Sequence, residues 1–264
     1  MQRRFVSDVS HEPTHPADDG ADGVVRAPRR ARGLRPRHRA GRRACCRPSL
    51  DRFENLLVDL LEISRFDAGA AVLAPEDVDL GEVVERVVAA AQPLADQRGV
   101  RVVVEHPAQD VRAEVDSRRV ERILRNLVTN AIDHALADDP TEAVLVRLAS
   151  DEEAVAITVR DHGVGLAPGE AAMVFNRFWR SDPARARVSG GTGLGLAIAQ
   201  EDAHLHGGWL QAWGRSGQGA QFRLTLPRRA GVGLRHSPLP LIPEDAVSSD
   251  AALGAVVPAP EGER

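Results

Sequence analysis

Hydrophobic residues recur at helical spacing in four parts of the chain. Apolar positions three or four residues apart predict an amphipathic helix over residues 50–67, which ends near Gly69. Asp79 is a suitable N-cap for a second helix, in which valines repeat at the same spacing. The same pattern predicts a third helix over residues 117–137 and a fourth over residues 193–205.

Short stretches rich in valine and alanine lie between these helices and predict β-strands. The strands are expected at residues 101–105, 111–115, 144–149, 154–160, 209–213 and 220–226. Strands and helices mixed in this order favour an α+β fold, in which a mixed sheet carries its helices on one face. The sequence therefore predicts a two-layer α/β sandwich over residues 70–229, preceded by a helical segment at residues 1–69.

Two segments lack the apolar residues that a folded core needs. Residues 13–49 are rich in arginine, alanine, proline and glycine, and Leu34 is their only leucine. Residues 230–264 are rich in proline, alanine and glutamate. Because such segments bury too little apolar surface to offset the entropy cost of ordering, both are predicted to be disordered.

Charge and cysteine content narrow the class of protein. The chain has 34 Lys and Arg against 38 Asp and Glu, a net charge of -4, which argues against a dedicated binder of nucleic acid or of an anionic membrane. Cys45 and Cys46 are adjacent, a poor arrangement for a disulfide or a metal site, and this indicates a reducing compartment. The sequence has no apolar run of about 18 residues. It therefore predicts a cytoplasmic chain without a membrane segment.

Asn126 and Asn130 lie four residues apart on the third predicted helix, and His134 follows one turn later. Both amides therefore project from one face of the helix. An amide oxygen is a hard, neutral ligand that can complete the shell of a Mg²⁺ ion held mainly by phosphates and water. Paired asparagines are more often surface or capping residues, so the pattern alone leaves both interpretations open.

Asp161 ends a predicted strand and is followed by His162, Gly163, Val164 and Gly165. A carboxylate in this position can accept a hydrogen bond from an exocyclic amine such as that of adenine. Glycines beside it allow the backbone to approach a flat base. The same sequence also fits an ordinary turn, and taken alone it favours neither interpretation.

Residues 189–197 form a glycine-rich segment that leads into the fourth predicted helix. Free backbone N–H groups and the positive end of the helix dipole make such a helix start suitable for a triphosphate. The segment is not a Walker loop, because that motif needs a lysine and the chain has none. A later glycine pair, Gly217 and Gly219, precedes the last strand and is most simply a hairpin turn.

Taken in order, these four features resemble the N box and the three glycine boxes of the histidine-kinase branch of an ATPase family. That family also includes gyrase, a heat-shock chaperone and the mismatch-repair ATPases. Residues 175–178 resemble the intervening F box, and the resemblance covers residues 50–228. It implies that ATP and Mg²⁺ bind between the third helix and a flexible lid at residues 176–192, with Asp161 on adenine and Asn130 on the metal. The nucleotide-binding residues that it implies are Asn126, Asn130, His134, Asp161, Gly163, Gly165, Gly191, Thr192, Gly193, Leu194 and Gly195.

For His134 two interpretations stay open: it lies near the nucleotide, or it is a packed histidine.

The residue at position 126 bears on the kind of reaction. Gyrase-like ATPases place a glutamate at the position that matches Asn126, where it activates water. Because an asparagine cannot be that base, the resemblance implies transfer to another nucleophile. The nucleophile that it implies is His11, since residues 7–12 resemble the H box, and Glu12 would hold or deprotonate the imidazole.

The resemblance thus implies a two-component sensor histidine kinase, which phosphorylates its own histidine from ATP and passes the phosphate to an aspartate of a response regulator. Residues 1–69 would be the dimerisation and phosphoacceptor segment, and residues 70–229 the ATP-binding catalytic domain. Members of the family form homodimers, and their full-length forms are anchored in the cell membrane, so the chain is expected to lack upstream parts. Four longer phrases resemble one subgroup of these kinases, at residues 3–12, 50–54, 120–126 and 178–182.

The chain departs from the H box immediately after Glu12. The family continues with leucine, arginine, threonine, proline and leucine, whereas this sequence places the helix breaker Pro13 first. A shift of one nucleotide across residues 13–17 permits the family's residues, which supports the hypothesis that residues 13–49 are an out-of-frame reading of a kinase gene. A disrupted first helix predicts weak dimerisation. The alternative to an active kinase is a fragment that binds ATP without transferring phosphate.

Overall fold

The computed structural model describes residues 47–106, 110–135, 143–180 and 192–247. The candidate residues His11 and Glu12, and most of the segment predicted to be disordered after them, lie outside the described residues. Within the described ranges, no helix is long and apolar enough to cross a membrane.

The first two helices follow the predicted pattern. α1 (Arg47–Asp67) begins slightly earlier than predicted, inside the segment predicted to be disordered. α2 (Leu80–Arg98) is capped as predicted, because the Asp79 carboxylate accepts the backbone N–H of Gly81 at 2.8 Å and that of Glu82 at 3.3 Å. This cap satisfies donors that the start of a helix otherwise leaves without partners.

The third helix carries the candidate asparagines. α3 (Ser117–His134) ends at His134 rather than at residue 137. The Asp116 carboxylate caps its start by accepting the Arg119 backbone N–H at 3.2 Å. The remaining helices of the described residues are α4 (Glu170–Met173), α5 (Gly195–Leu205) and α6 (Glu244–Val247).

All six predicted strands are present, with ends within a residue or so of those expected. The strands are β1 (Glu76–Asp79), β2 (Val102–Glu105), β3 (Arg112–Val115), β4 (Val144–Ser150), β5 (Ala154–Asp161), β6 (Trp209–Gly214) and β7 (Ala220–Pro227). β1, which was not predicted, pairs with β3 in a small antiparallel sheet. The main sheet has the order β2-β4-β5-β7-β6, in which β2 and β4 run parallel and the other neighbours antiparallel.

One face of the main sheet forms the core with the helices. On β5, Val155, Ile157 and Val159 are buried in an apolar cluster that includes Val84 of α2 and Leu127 of α3. Because side chains alternate along a strand, the residues between them point to the opposite face. Helices on one side of a mixed sheet confirm the predicted two-layer α+β sandwich.

The prediction that residues 230–264 are disordered is wrong for about the first half of this tail. Residues 236–247, called here the C-terminal strap, lie against the face of the main sheet opposite the helices, where the Gln221 amide donates to the Leu241 carbonyl at 2.9 Å. Polar residues of the sheet bond carbonyl groups of the strap, a source of order that its proline-rich composition does not reveal. Residues 248–264 lie outside the described part of the chain.

Candidate functional site

A cavity of about 50 Å³ lies where the C-terminal part of α3, the end of β5 and the start of α5 meet. It brings together four residues that the sequence predicted for a nucleotide site, from distant parts of the chain. The lining residues are Asn130, His134, Asp161, Gly165, Leu166, Val174, Trp179, Leu196, Ala220 and Phe222.

Sequence patterns did not single out the apolar wall of this cavity. Val174, Trp179 and Phe222 belong to it, and Phe175 packs edge to face on Phe222 with ring centroids 6.2 Å apart. An apolar side chain on a cavity wall follows the same spacing as one in the core, so periodicity cannot separate the two. Only the resemblance to the F box drew attention to residues 175–178.

Asp161 is the last residue of β5, lines the cavity and is 2% exposed. Its Oδ1 accepts backbone N–H bonds from Gly163 at 3.0 Å and from Ala220 at 3.3 Å. Burial raises the pKa of this carboxyl above its ordinary value, and those two bonds and the nearby charges of Arg160 and His134 offset the rise only in part. No described residue donates to Oδ2, so that oxygen is open to a donor on a ligand.

Gly163 and Gly165 have a structural reason to be glycine. A Cβ atom at Gly163 would lie 1.9 Å from the His134 carbonyl oxygen, and one at Gly165 would lie 1.7 Å from that of Arg215. Gly165 also has a φ of 71°, in the left-handed region that favours glycine. The loop therefore packs against protein backbone at both positions, and its approach to a base stays a prediction.

The two asparagines of α3 have different surroundings. The Asn126 Nδ2 donates to the Gly195 carbonyl at 2.9 Å, which joins α3 to the first residue of α5. Asn130 lines the cavity, and its amide forms no hydrogen bond with any described residue. His134 lines the cavity where the helix ends. Asn130 is thus the asparagine whose amide is available to a ligand.

α5 starts without a side-chain cap. The side chain of Leu194, which precedes it, makes no capping bond, and no described residue accepts the first N–H groups of the helix, which suits them to bind an anion. Gly193, with a φ of 74°, turns the chain before the helix, and its carbonyl accepts the Phe178 N–H at 2.9 Å. This bond joins the two sides of the predicted lid at its base. Gly191 belongs to residues 181–191, which lie outside the described ranges.

The side chains of Thr192 and Leu194 contact α1 rather than the cavity. The Thr192 hydroxyl donates to the Asp59 carboxylate at 3.0 Å and accepts the Leu194 N–H at 3.2 Å. Leu194 is fully buried and packs with Ile198 of α5 against Ile63 of α1. These contacts give no support to the predicted role of the two residues in nucleotide binding, which stays a prediction.

Ion pairs between α1 and the sandwich were not predicted. Arg177 forms two hydrogen bonds with the Asp67 carboxylate, at 2.9 and 2.6 Å. Glu62 pairs with Arg122 of α3 at 3.0 Å, and Arg122 in turn bonds the buried carboxylate of Asp202 on α5. Charged residues so far apart along the chain give no sign of which arginine meets which carboxylate, so the sequence could not have revealed these pairs.

Comparison with known proteins agrees with this geometry. Residues 115–230 match the family described as histidine kinase-, DNA gyrase B-, and HSP90-like ATPase. The match begins at the end of β3 and continues past β7, and it contains every residue that lines the cavity.

Similar proteins are sensor kinases. The chain is 53% identical over 250 residues to the sensor histidine kinase MtrB of Mycobacterium tuberculosis, a match that covers 92% of this chain and 42% of the length of that relative. The crystal structure of full-length ShkA in complex with AMPPNP has a TM-score of 0.62 at 27% identity, and the match covers 75% of this chain and 41% of that one. The Acinetobacter baumannii histidine kinase AdeS has a TM-score of 0.60 at 21% identity over 73% of this chain and 86% of its own, which shows the fold.

The sequence phrases at residues 3–12, 50–54, 120–126 and 178–182 were predicted to mark one subgroup, and that subgroup is the MtrB type. The fold, the family match and the identity to MtrB agree. The chain therefore belongs to the sensor histidine kinase family and carries its ATPase domain.

Proposed function

We propose that this chain binds ATP with Mg²⁺ and is the catalytic part of a two-component sensor histidine kinase. The observation that carries the proposal is the Asp161 carboxylate, which lines a cavity beside the uncapped start of α5. A buried acceptor suits the amine of a base, and a helix N-terminus suits phosphates. The AMPPNP complex of the structurally similar ShkA supports a nucleotide as the ligand.

The adenine end of the proposed site is formed by Asp161 and the apolar wall. Oδ2 of Asp161 would accept the exocyclic amine, while Val174 and Trp179 would contact the faces of the ring. The cavity of about 50 Å³ is smaller than the roughly 300–1,000 Å³ of typical ligand pockets, so binding requires it to widen. Trp179 is half-buried and belongs to the predicted lid, and its displacement would open the cavity.

Asn130 is the proposed protein ligand of Mg²⁺. Its amide oxygen is a hard, neutral donor on the cavity wall, which fits the ion. Within the part of the chain that the structure describes, no group of three or more His, Cys, Asp or Glu side chains could hold a metal. The ion would therefore be held chiefly by phosphate oxygens, with Asn130 completing its shell. When bound, Mg²⁺ supplies neutralisation of the phosphate charge.

Transfer to a histidine rather than to water is proposed because of Asn126. Its amide cannot act as a general base, and it bonds the Gly195 carbonyl. His11 is the proposed phosphoacceptor, and Glu12 would orient or deprotonate its imidazole. The phosphate would then pass to an aspartate of a response regulator, of the MtrA type in view of the similarity to MtrB.

α1 is the proposed dimerisation helix. Phe53, Leu57 and Leu61 are exposed on it, and a continuous exposed apolar surface is typical of an interface. Its other side contacts the sandwich through Ile63. The four-helix bundle of the family also needs the helix that carries the phosphoacceptor, which Pro13 interrupts in the sequence. We therefore expect a weak dimer in this chain.

The interrupted helix supports a second candidate function, which is ATP binding without transfer. Two measurements together distinguish the two candidate functions. One is labelling of the chain with ATP that carries a tagged γ-phosphate, and the other is a calorimetric titration with ATP in the presence of Mg²⁺. A kinase incorporates label that acid removes and alkali does not, whereas a binding fragment has affinity for ATP and incorporates no label. Release of free phosphate as fast as the label is incorporated would indicate a hydrolase. It would contradict the proposal that Asn126 disfavours transfer to water. Absence of ATP binding would refute both functions.

A further inference from the structure

The C-terminal strap contacts the residues on both sides of Asp161. The Oδ2 atom of Asp245, in α6, accepts a hydrogen bond from Nη2 of Arg160 at 2.8 Å. The same oxygen lies 3.5 Å from Nε2 of His162. Since the family match ends at residue 230, an element outside the matched segment touches the surroundings of a proposed site residue.

Arg160 connects two pieces of backbone. The residue is 4% exposed. Its Nη1 donates to the Asp161 carbonyl at 2.9 Å and its Nη2 donates to the Gln218 carbonyl at 2.8 Å. The guanidinium also lies over the Trp213 ring, 5.2 Å from its centroid. One buried cation thus joins the end of β5 to the hairpin between β6 and β7.

These two pieces of backbone support the Asp161 carboxylate. Gln218 is followed by Gly219, where a Cβ atom would lie 1.9 Å from the Asp161 carbonyl oxygen. The next residue, Ala220, donates its N–H to Oδ1 of Asp161 at 3.3 Å. Because hydrogen bonds weaken steeply with misalignment, a shift of either piece changes where the carboxylate points and how well it accepts.

The charge of Asp245 holds Arg160 in place. Among the described residues, Asp245 is the only carboxylate that forms an ion pair with this guanidinium, and Arg160 Nε has no hydrogen-bond partner. Partial burial raises the pKa of Asp245, but the hydrogen bond and the charge of Arg160 outweigh it and hold that pKa below its ordinary value. Without Asp245, the Asp161 carboxylate remains near the guanidinium but forms no ion pair with it. A buried cation without a paired carboxylate is disfavoured and moves towards water. Loss of the pair would therefore release the Asp161 and Gln218 carbonyls together.

We propose that Asp245 is a positioning residue for adenine recognition, which acts through Arg160 to set the orientation of the Asp161 carboxylate. The inference rests on the proposed function, because it assumes that Asp161 binds the amine of adenine. The proposed phosphate contacts lie at the start of α5, away from the strap. Loss of the Asp245 charge should therefore lower the preference for an amine-bearing base more than it lowers nucleotide binding as a whole.

The test compares ATP with ITP, whose base has a carbonyl group in place of the amine, by calorimetry on the full chain with Mg²⁺. The parent should prefer ATP by roughly ten- to a hundred-fold, the range of a hydrogen bond to a charged group. In Asp245→Asn this preference should fall several-fold, while the affinity for ITP stays close to that of the parent. Glu244→Gln is the matched control, because it removes the neighbouring carboxylate of the same short helix and should keep the preference.

The possible outcomes separate the inference from the function on which it rests. An unchanged preference in Asp245→Asn overturns the inference, and so does an equal loss of affinity for ATP and ITP, which would indicate a general structural role. A parent that binds both nucleotides equally refutes the proposed role of Asp161 instead. If thermal unfolding shows that Asp245→Asn is not folded, Arg160→Met decides: methionine donates a hydrogen bond to neither carbonyl, so a retained preference overturns the inference.

Discussion

Asp67 at the end of α1 binds Arg177 through two hydrogen bonds, with oxygen to nitrogen distances of 2.6 and 2.9 Å. The pair joins the proposed dimerisation helix to the start of the predicted lid. Both side chains are well exposed, so salt screens their attraction. α1 is therefore attached to the ATPase part at a point that ionic strength can weaken.

Asp67→Asn should loosen the end of α1. The apolar contact of Ile63 remains, so the helix stays folded. Residues 68–75, most of which are exposed, should be cleaved faster in limited proteolysis because local opening frees their backbone. The increase should be larger at low salt than at high salt. Glu54→Gln, on the exposed part of α1, is the control. Equal cleavage of the two variants at low salt would mean that the ion pair does not secure the helix.

Asp161→Asn should weaken ATP binding, because it removes the charged acceptor proposed for the adenine amine. A lost hydrogen bond to a charged group costs about 1.5–3 kcal/mol, or roughly ten- to a hundred-fold in affinity. Calorimetry at neutral pH measures the change. Asp133→Asn, on the same helix as Asn130 and paired with Arg98, should bind ATP as the parent does. Unchanged affinity in the Asp161 variant would place the base elsewhere.

Gly163→Ala should destabilise the fold with or without nucleotide. The added Cβ atom would lie 1.9 Å from the His134 carbonyl oxygen, so the end of α3 or the loop must shift. Overpacking of this kind costs about 1–3 kcal/mol, which thermal or urea unfolding would detect. The control is Gly233→Ala, where no described atom lies within 4 Å of the new Cβ atom. Similar stability of the two variants would show that the loop adapts freely.

His206 should make the fold less stable in weak acid. Its Nε2 accepts the Asp116 N–H at 3.0 Å and its Nδ1 donates to the Asp202 carbonyl at 2.7 Å, so the bonded ring is neutral. Burial lowers the pKa of His206 below its ordinary value, an effect that the Asp202 carbonyl and the nearby carboxylates offset only in part. Between the lowered pKa and about 6.5, the unfolded chain therefore binds a proton that the folded chain does not.

The stability that His206 contributes is thus present above about pH 6.5 and is lost as the pH falls. The melting temperature of the parent should drop from pH 7 to pH 5 by more than that of His206→Gln, whose amide oxygen can still accept the Asp116 N–H. The raised pKa values of Asp161 and Asp202 make the fold more stable as the pH falls. The parent and His206→Gln both contain these two residues, so the comparison between them cancels this effect. Identical pH profiles would mean that His206 is not responsible.

This chain should bind ATP with little labelling of His11. Pro13 costs the interior of a helix about 3 kcal/mol, and a phosphoacceptor on a frayed segment loses the proximity that speeds transfer. Replacing residues 13–49 by the frame-corrected helix should restore acid-labile labelling, which His11→Gln should then abolish. Rapid labelling of the unaltered chain, lost in His11→Gln, would contradict this expectation.

The sequence predicted those parts of the fold that side chains encode. The N-cap at Asp79 and the strands that became β4 and β5 were found because cap chemistry and alternation are properties of side chains. β1 was missed because it is acidic with a single valine and is held by backbone pairing to β3. Order in the strap was missed for a related reason, since its bonds come from polar residues on the far face of the sheet.

The candidate site was predicted only in part. Helical spacing placed Asn130 and His134 on one face, and the resemblance added Asp161 to the same site. The three residues line one cavity in the structure, and their role in nucleotide binding stays a prediction. The partners of Asp161 and Asn126 are backbone groups, the Ala220 N–H and the Gly195 carbonyl. Every residue carries such groups, so no pattern of residue types indicates which ones will be used.

Thr192 bonds Asp59 and Arg177 bonds Asp67, so both ends of the predicted lid are attached to α1. Coupling between two sites is reciprocal: by whatever factor the docked helix changes the affinity for a nucleotide, the nucleotide changes the docking of the helix by the same factor. A change in the position of α1 would therefore change the fraction of the proposed site that ATP occupies. In the other direction, the concentration of ATP would bias the position of α1.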